Sequence, residues 1–309
     1  MKKWVIALSI TVIILICLSY LLIPNTIKLH SSSGVNATSQ GIHRVLLDKQ
    51  NVAKWWPGKI SSDGFTLNDR PYKIENGNTT LLQITINGES SPVTTGLFLI
   101  SIIIDSTQLE WTGSMVMPYN PVKRFLAYRE SKEISKDMNS ILKSLQTFYS
   151  KPENIYGVNI QKAYVADSFL IATAGQVKGY PTNQYIYGLV DQLKQYASSN
   201  SAKQSGYPML NIETRDSINF DVRVAIPTDK LLPSSGNMLQ KKMLGRGYIL
   251  MAEVKGGVAT TLQAFQQLQN FLNDYHYRAP AIPFYSLITD RSMEQDSSKW
   301  ITKIYFPVM

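Results

Sequence analysis

The groups whose type and setting could do chemistry are few. Glu253, in LMAEVKG, and Glu213, in LNIETRD, are acids on strand-like runs. Either could meet a cation or act as a general base. Ala252 and Val254 flank Glu253 and must point to the other face of the strand, so Glu253 is either turned to a ligand or to solvent. In PFYSLITD, Pro283 to Asp290, no charge appears before the last residue. Tyr285 there offers a ring face and one hydroxyl, which suits a neutral or weakly cationic apolar ligand. It is either one wall of an uncharged pocket or a core aromatic. Trp300 alternates with Thr302, Ile304 and Phe306 and lines either a ligand face or the underside of a helical layer. Trp56, in WWPG, and Trp111, in TQLEWTGSMVM, are weaker candidates of the same kind.

Other chemistries find no support. His30, His43 and His276 stand in three separate stretches, without the spacing of a zinc site or a nucleophile turn beside them. No phosphate-binding loop, dinucleotide fingerprint or calcium loop is present. Cys17 is the only cysteine, so the rest of the chain can form no internal disulfide and no thiolate metal site. No cofactor and no metal are implied. The net charge of +9 favours anionic surfaces in general. The short basic clusters QKKMLGR and NPVKRF lack interleaved aromatics, and direct nucleic-acid binding is not expected.

These side chains must be positioned by a chain of 309 residues, enough for two cores. MKK is followed by twenty residues, 4–23, without a charge, and then Pro24. At 1.5 Å per residue that run matches the roughly 30 Å of a bilayer's hydrocarbon. It is longer than a cleavable signal's apolar stretch and has no small-residue cut site, so residues 1–25 are expected to be a single-pass membrane anchor. Lys2 and Lys3 then place the remainder outside the cytoplasm, in the periplasm or beyond.

After a first strand, TSQGIHRVLLDKQNVAKWW has helical spacing and stops at Pro57-Gly58. Strand-like runs follow: TTLLQITING ends in an Asn87-Gly88 turn, LFLISIII is apolar on both faces, and TQLEWTGSMVM alternates. From Asn120-Pro121 the period becomes helical, with Ile134, Met138, Ile141, Leu145 and Phe148 on one stripe. Lys151-Pro152 closes it, which sets a domain boundary near 152–158.

The second half repeats. Gly175 and Gly256 each end a strand and lie 81 residues apart; Tyr196 and Tyr275, on the helices that follow, are 79 apart; Pro227 and Pro307, at the ends of later strands, are 80 apart. A β-α-β-β unit with that period predicts two modules about a pseudo-twofold axis, sharing one sheet with both helices on one side. The seam between them is the natural concavity for a ligand.

With these features on the page, residues 158–309 resemble the GyrI-like (AraC-type) effector-binding family, the ligand-sensing domain of several bacterial transcription activators. The duplicated module, Gly256-Gly257, the FLNDY helix end and SLITD followed by TKIYFPV carry the resemblance. It implies two β-α-β-β modules cradling a hydrophobic, often cationic, small molecule. Where that family often has a glutamate, before a Thr-Asp pair, this chain has Tyr285. Residues 26–155 more loosely resemble the SRPBCC (START-like, polyketide-cyclase-like) helix-grip family, in the order strand, short helix ending in WWPG, antiparallel strands, long helix. That resemblance implies a curved sheet wrapped on the helix over an apolar cavity.

The sequence thus leads to an α+β protein with an N-terminal transmembrane helix, a helix-grip domain and a duplicated effector-binding domain. Its expected partner is a hydrophobic small molecule or lipid, bound without catalysis through Tyr285, Trp300 and Glu253, with Trp56 and Trp111 in the first domain. The enzymatic alternative is a carboxylate-assisted hydrolase or cyclase-like enzyme acting on a hydrophobic small molecule.

Overall fold

Alternating residues along each half of the chain build two antiparallel sheets, each backed by helices, so the protein is α+β. The computed structural model describes all residues except Met1, Leu47, Ser62, Asp63, Thr79, Thr80, Ser90, Ala166, Asp167, Ser217, Leu244 and Arg246. They fall into two compact units, residues 1–151 and 152–309.

The first unit opens with α1 (Lys2–Leu22), β1 (Thr26–Val35), α2 (Ser39–Leu46) and α3 (Lys49–Trp55). Six strands follow: β2 (Lys59–Ser61), β3 (Gly64–Leu67), β4 (Arg70–Asn78), β5 (Leu81–Asn87), β6 (Pro92–Ile103) and β7 (Ser106–Val116). The unit ends with α4 (Pro121–Tyr149). The sheet order is β1-β7-β6-β5-β4-β3-β2, with every neighbour antiparallel. Asn120 starts α4 by accepting from the backbone N–H of Val122 and Lys123 at 3.0 and 3.1 Å, and Pro121 fills the first turn, where no donor is needed. The helix buries Ile134, Met138, Ile141 and Leu145, the stripe expected from its period; Phe148 is left at the margin while Tyr149 is buried.

The N-terminal segment requires a correction. It is helical over Lys2–Leu22, but among the described residues no helix is long and apolar enough to cross a membrane. The expected single-pass anchor, the cell-membrane localisation and the extracytoplasmic orientation are therefore overturned. The end of the segment is engaged by protein: the Tyr20 hydroxyl donates to the Tyr119 carbonyl, Arg124 lies 5.0 Å over the Tyr20 ring, and Arg124 Nη2 donates to the Ile23 carbonyl at 2.6 Å. The side chains of Lys2, Lys3, Val5, Val12 and Leu15, which the expectation also used, lie outside the described residues.

The second unit begins with α5 (Pro152–Tyr156) and β8 (Ile160–Tyr164). One module then runs β9 (Ser168–Lys178), α6 (Asn183–Ser199), β10 (Met209–Thr214) and β11 (Asn219–Thr228). After β12 (Leu239–Met243) the second runs β13 (Tyr248–Lys255), α7 (Val258–Asp274), β14 (Phe284–Leu287) and β15 (Ile301–Val308). The eight strands lie in the order β12-β9-β11-β10-β14-β15-β13-β8. The inner six read the same from either end, module against module, and meet where Met209 and Leu210 pair with Ser286 and Tyr285.

One face of this sheet is covered by both helices. Its core joins Ile186, Val190 and Leu193 of α6 and Ala264, Leu268 and Leu272 of α7 to Val222, Val224, Leu250, Ala252, Ile304 and Phe306 from the strands. The opposite face is forced into a hollow by the connections. β9 is second and β8 eighth in the sheet, so in a flat sheet they would lie roughly 29 Å apart at about 4.8 Å per strand. Only residues 165–167 join them, a reach of at most about 15 Å. The sheet must curl until opposite corners approach.

Burial has a consequence for alkaline stability. It pushes the hydroxyls of Tyr72, Tyr149 and Tyr285 well above the ordinary phenol value of 10.0. Above about pH 10 the unfolded chain ionises while the folded chain keeps its protons, so the native state binds more protons and stability falls as pH rises. Urea midpoints are expected to drop between about pH 9 and about pH 11; a flat profile would contradict the burial of these phenols.

Candidate functional site

Strand parity decides which aromatic groups of the second unit share a space. In β14, Tyr285 and Leu287 point to the helices, whereas Phe284 and Ser286 point to the hollow. In β15, Thr302, Ile304 and Phe306 take the helical side and Tyr305 the other; in β13, Ile249 and Met251 face the hollow.

The hollow holds a cleft of about 410 Å³. Its floor is the pair Phe284 and Tyr305, stacked with ring centroids 5.0 Å apart and planes 20° from parallel. Met209, Met243 and Met251 stand round them, with Pro227, Tyr207 and Tyr164 also on the walls. Among the described residues none of those that line it is charged. Burial raises the Tyr305 hydroxyl above its ordinary range; Lys303 acts against that and Glu253 with it, which places this ion pair beside the cleft. Glu253 and Lys303 face each other across β13 and β15 with Oε2 and Nζ 3.5 Å apart. Glu253 is thus on the hollow face but outside the cleft wall, neutralised and largely exposed. Glu213 is held by Arg223 at 2.7 Å on the same side of the sheet.

Tyr285 lies on the helical side instead, and so does Trp300, through Arg291, which bonds Thr302 there. Tyr285 is 7 % exposed, and its ring is 5.7 Å from that of Phe265 on α7. Trp300 is buried, donates from Nε1 to the Glu294 carbonyl at 2.8 Å and carries the Arg291 guanidinium 4.7 Å over its ring. The structure therefore keeps both Tyr285 and Trp300 from the cleft and from the face that carries Glu253. In the first unit, Trp111 is 0 % exposed and donates to Thr95 Oγ1 at 2.7 Å, and Thr95 in turn donates to the Ile84 carbonyl at 2.8 Å. Trp56 donates to the Thr66 carbonyl at 3.0 Å and packs on Phe65 and Tyr72, each 5.3 Å away. Both indoles are satisfied inside the protein. Among the described residues no group of three or more His, Cys, Asp or Glu could hold a metal ion.

Sequence reasoning missed Tyr305, the three methionines and Arg291. Tyr305 carried a signal: Thr302, Ile304 and Phe306 fix one parity of β15, and the residues between them must take the other.

No protein-family model and no curated protein matches this chain. Solved structures similar to it include the C-terminal domain of EcmrR, at 17% identity over 49% of this chain and 98% of that one, with a TM-score of 0.43. SAV2435 bound to tetraphenylphosphonium is similar at 17% identity over 49% of this chain and 94% of that one, with a TM-score of 0.34. A hydrolase from Listeria innocua is similar at 9% identity over 49% and 92%, with a TM-score of 0.37.

Proposed function

We propose that the second unit is a small-molecule binding module whose ligand is neutral and largely apolar, a lipid-like molecule included, and that it binds without catalysis. The observation that carries this reading is a cleft of about 410 Å³ whose described lining is uncharged and whose floor is the Phe284 and Tyr305 stack. A ligand there meets two ring faces and three thioethers, which adapt to irregular apolar shapes, and the hydroxyls of serines and tyrosines for orientation. Among the described residues Glu253, the carboxylate that acts on Tyr305, is already paired with Lys303 and solvated, a poor general base.

Titration of the full chain with phenylnaphthylamine, a neutral apolar fluorophore, tests the reading. Phe284→Ala is expected to weaken binding about tenfold, the loss of one stacked aromatic contact. Glu253→Gln is expected to leave it within about twofold, because it removes only a solvated pair. Unchanged binding in Phe284→Ala would remove the cleft from consideration. Native mass spectrometry of the purified chain then identifies what it carries.

A further inference from the structure

The group least explained by packing or by the cleft is Arg291, which is 8 % exposed on the helical side of the sheet. Among the described residues no carboxylate forms an ion pair with it, and its Nε makes no hydrogen bond. The adjacent acids are occupied elsewhere. Asp290 Oδ1 accepts from the Ser292 N–H and hydroxyl at 2.9 and 2.6 Å, and Glu294 is turned to the Asp296 N–H at 2.9 Å and to Lys299.

What surrounds the guanidinium is neutral and aromatic. Nη2 donates to Thr302 Oγ1 at 2.6 Å, which uses one of its five N–H donors, and Trp300 lies beneath its plane. The Tyr187 hydroxyl accepts from the Arg291 backbone N–H at 2.8 Å and donates to the Thr289 carbonyl at 3.2 Å, fixing this turn against α6. Tyr180, partly exposed ahead of α6, is in electrostatic range of both Arg291 and Tyr285. A buried cation without a counter-charge is costly unless something supplies one. Tyrosine hydroxyls and a tryptophan face moderate that cost but do not neutralise it.

We infer that Arg291 is the anchor of a second ligand site, on the face opposite the cleft, for an anion with an aromatic or apolar body, such as an aryl carboxylate or sulfonate. The guanidinium takes the anionic oxygens through its free N–H donors, and the Trp300 ring over which it lies packs on the body. The sign of this site is opposite to that of a pocket built on a buried glutamate, so cations are excluded from it.

Two probes of nearly the same shape separate the sites. Anilinonaphthalene sulfonate differs from phenylnaphthylamine only in its sulfonate. In the full chain, Arg291→Met is expected to weaken the sulfonate probe by about 10- to 100-fold, as for loss of a charge-assisted hydrogen bond, and to leave the neutral probe within about twofold. Arg291→Lys, which keeps the charge, is expected to retain most of the sulfonate affinity. Phe284→Ala should not alter it. Equal weakening of both probes, no change in either, or sulfonate binding lost with Phe284→Ala would overturn the assignment. Should neither Arg291 variant fold, the wild-type protein decides: at least about tenfold preference for the sulfonate over its neutral analogue supports the site, and equal affinity overturns it.

Discussion

Asp137→Ala is expected to lower the unfolding free energy of the first unit by about 3–5 kcal/mol, the usual cost of stripping one partner from a buried ion pair. Asp137 lies on the inner side of α4 and is 2 % exposed. Its Oδ1 accepts from Asn68 Nδ2 at 2.7 Å; its Oδ2 accepts from the Tyr72 hydroxyl at 2.8 Å and from Arg70 Nη1. Asn68 and Asp69 form the two-residue turn between β3 and β4 with φ of 51° and 61°, a left-handed conformation that Asn and Asp tolerate better than most residues. One carboxylate therefore pins a strained hairpin turn, a partly buried arginine and a strand tyrosine to the long helix. Alanine leaves three donors without an acceptor, and Glu133, the other partner of Arg70 at 3.4 Å, is too exposed to replace it. Urea unfolding followed by tryptophan fluorescence checks the effect, since four of the five tryptophans lie in the first unit. A loss below about 1 kcal/mol would show that Arg70 and Tyr72 find water instead.

Gly58→Ala is the second large effect, about 3 kcal/mol or more of destabilisation. A Cβ at this position would stand 1.8 Å from the Thr66 carbonyl oxygen and 2.9 Å from Trp56 Nε1. The first of these atoms is backbone, so no side-chain rotation relieves the overlap. β2 would have to separate from β3, and the Trp56 indole would lose the carbonyl it donates to. Trp56 then relaxes from its packing on Phe65 and Tyr72, so the substitution should shift the emission of the native state as well as its midpoint. Identical emission and an unchanged midpoint would mean that this corner of the sheet yields without cost.

Some of this arrangement was written plainly in the sequence. The recurrence of tyrosine and proline about 80 residues apart is the recurrence of β9-α6-β10-β11 as β13-α7-β14-β15, because the same helix end and strand close must be met twice; the glycines are not equivalent, Gly175 lying inside β9 and Gly256 just past β13. The α4 stripe was legible for the ordinary reason that a helix packed on a sheet buries one side. PFYSLITD was not legible in the way that mattered. Both faces of β14 are covered, one by helices and one by the cleft wall, so Phe284 and Tyr285 are both aromatic and hydrophobicity gives no parity. Of the two places the sequence leaves open for Tyr285, it takes the core, while Phe284 and Ser286 line the cleft. Arg291 carries no signal in the sequence because it follows the strand in a polar turn; its backbone is held by Tyr187, more than a hundred residues earlier in the chain. The N-terminal run was read from apolarity alone, which does not register that Tyr20 and Ile23 are held by α4 and the turn before it.

The two outermost strands follow an exchange. β8 immediately precedes the first module yet pairs with β13 of the second, and β12 immediately precedes the second yet pairs with β9 of the first. Each half has handed its leading strand to the other, like crossed forearms. Neither half owns a complete set of backbone partners, so a fragment holding one alone would expose a long bare edge. Residues 152–309 are for that reason expected to unfold in one cooperative transition, since the clasp around the hollow needs both exchanges.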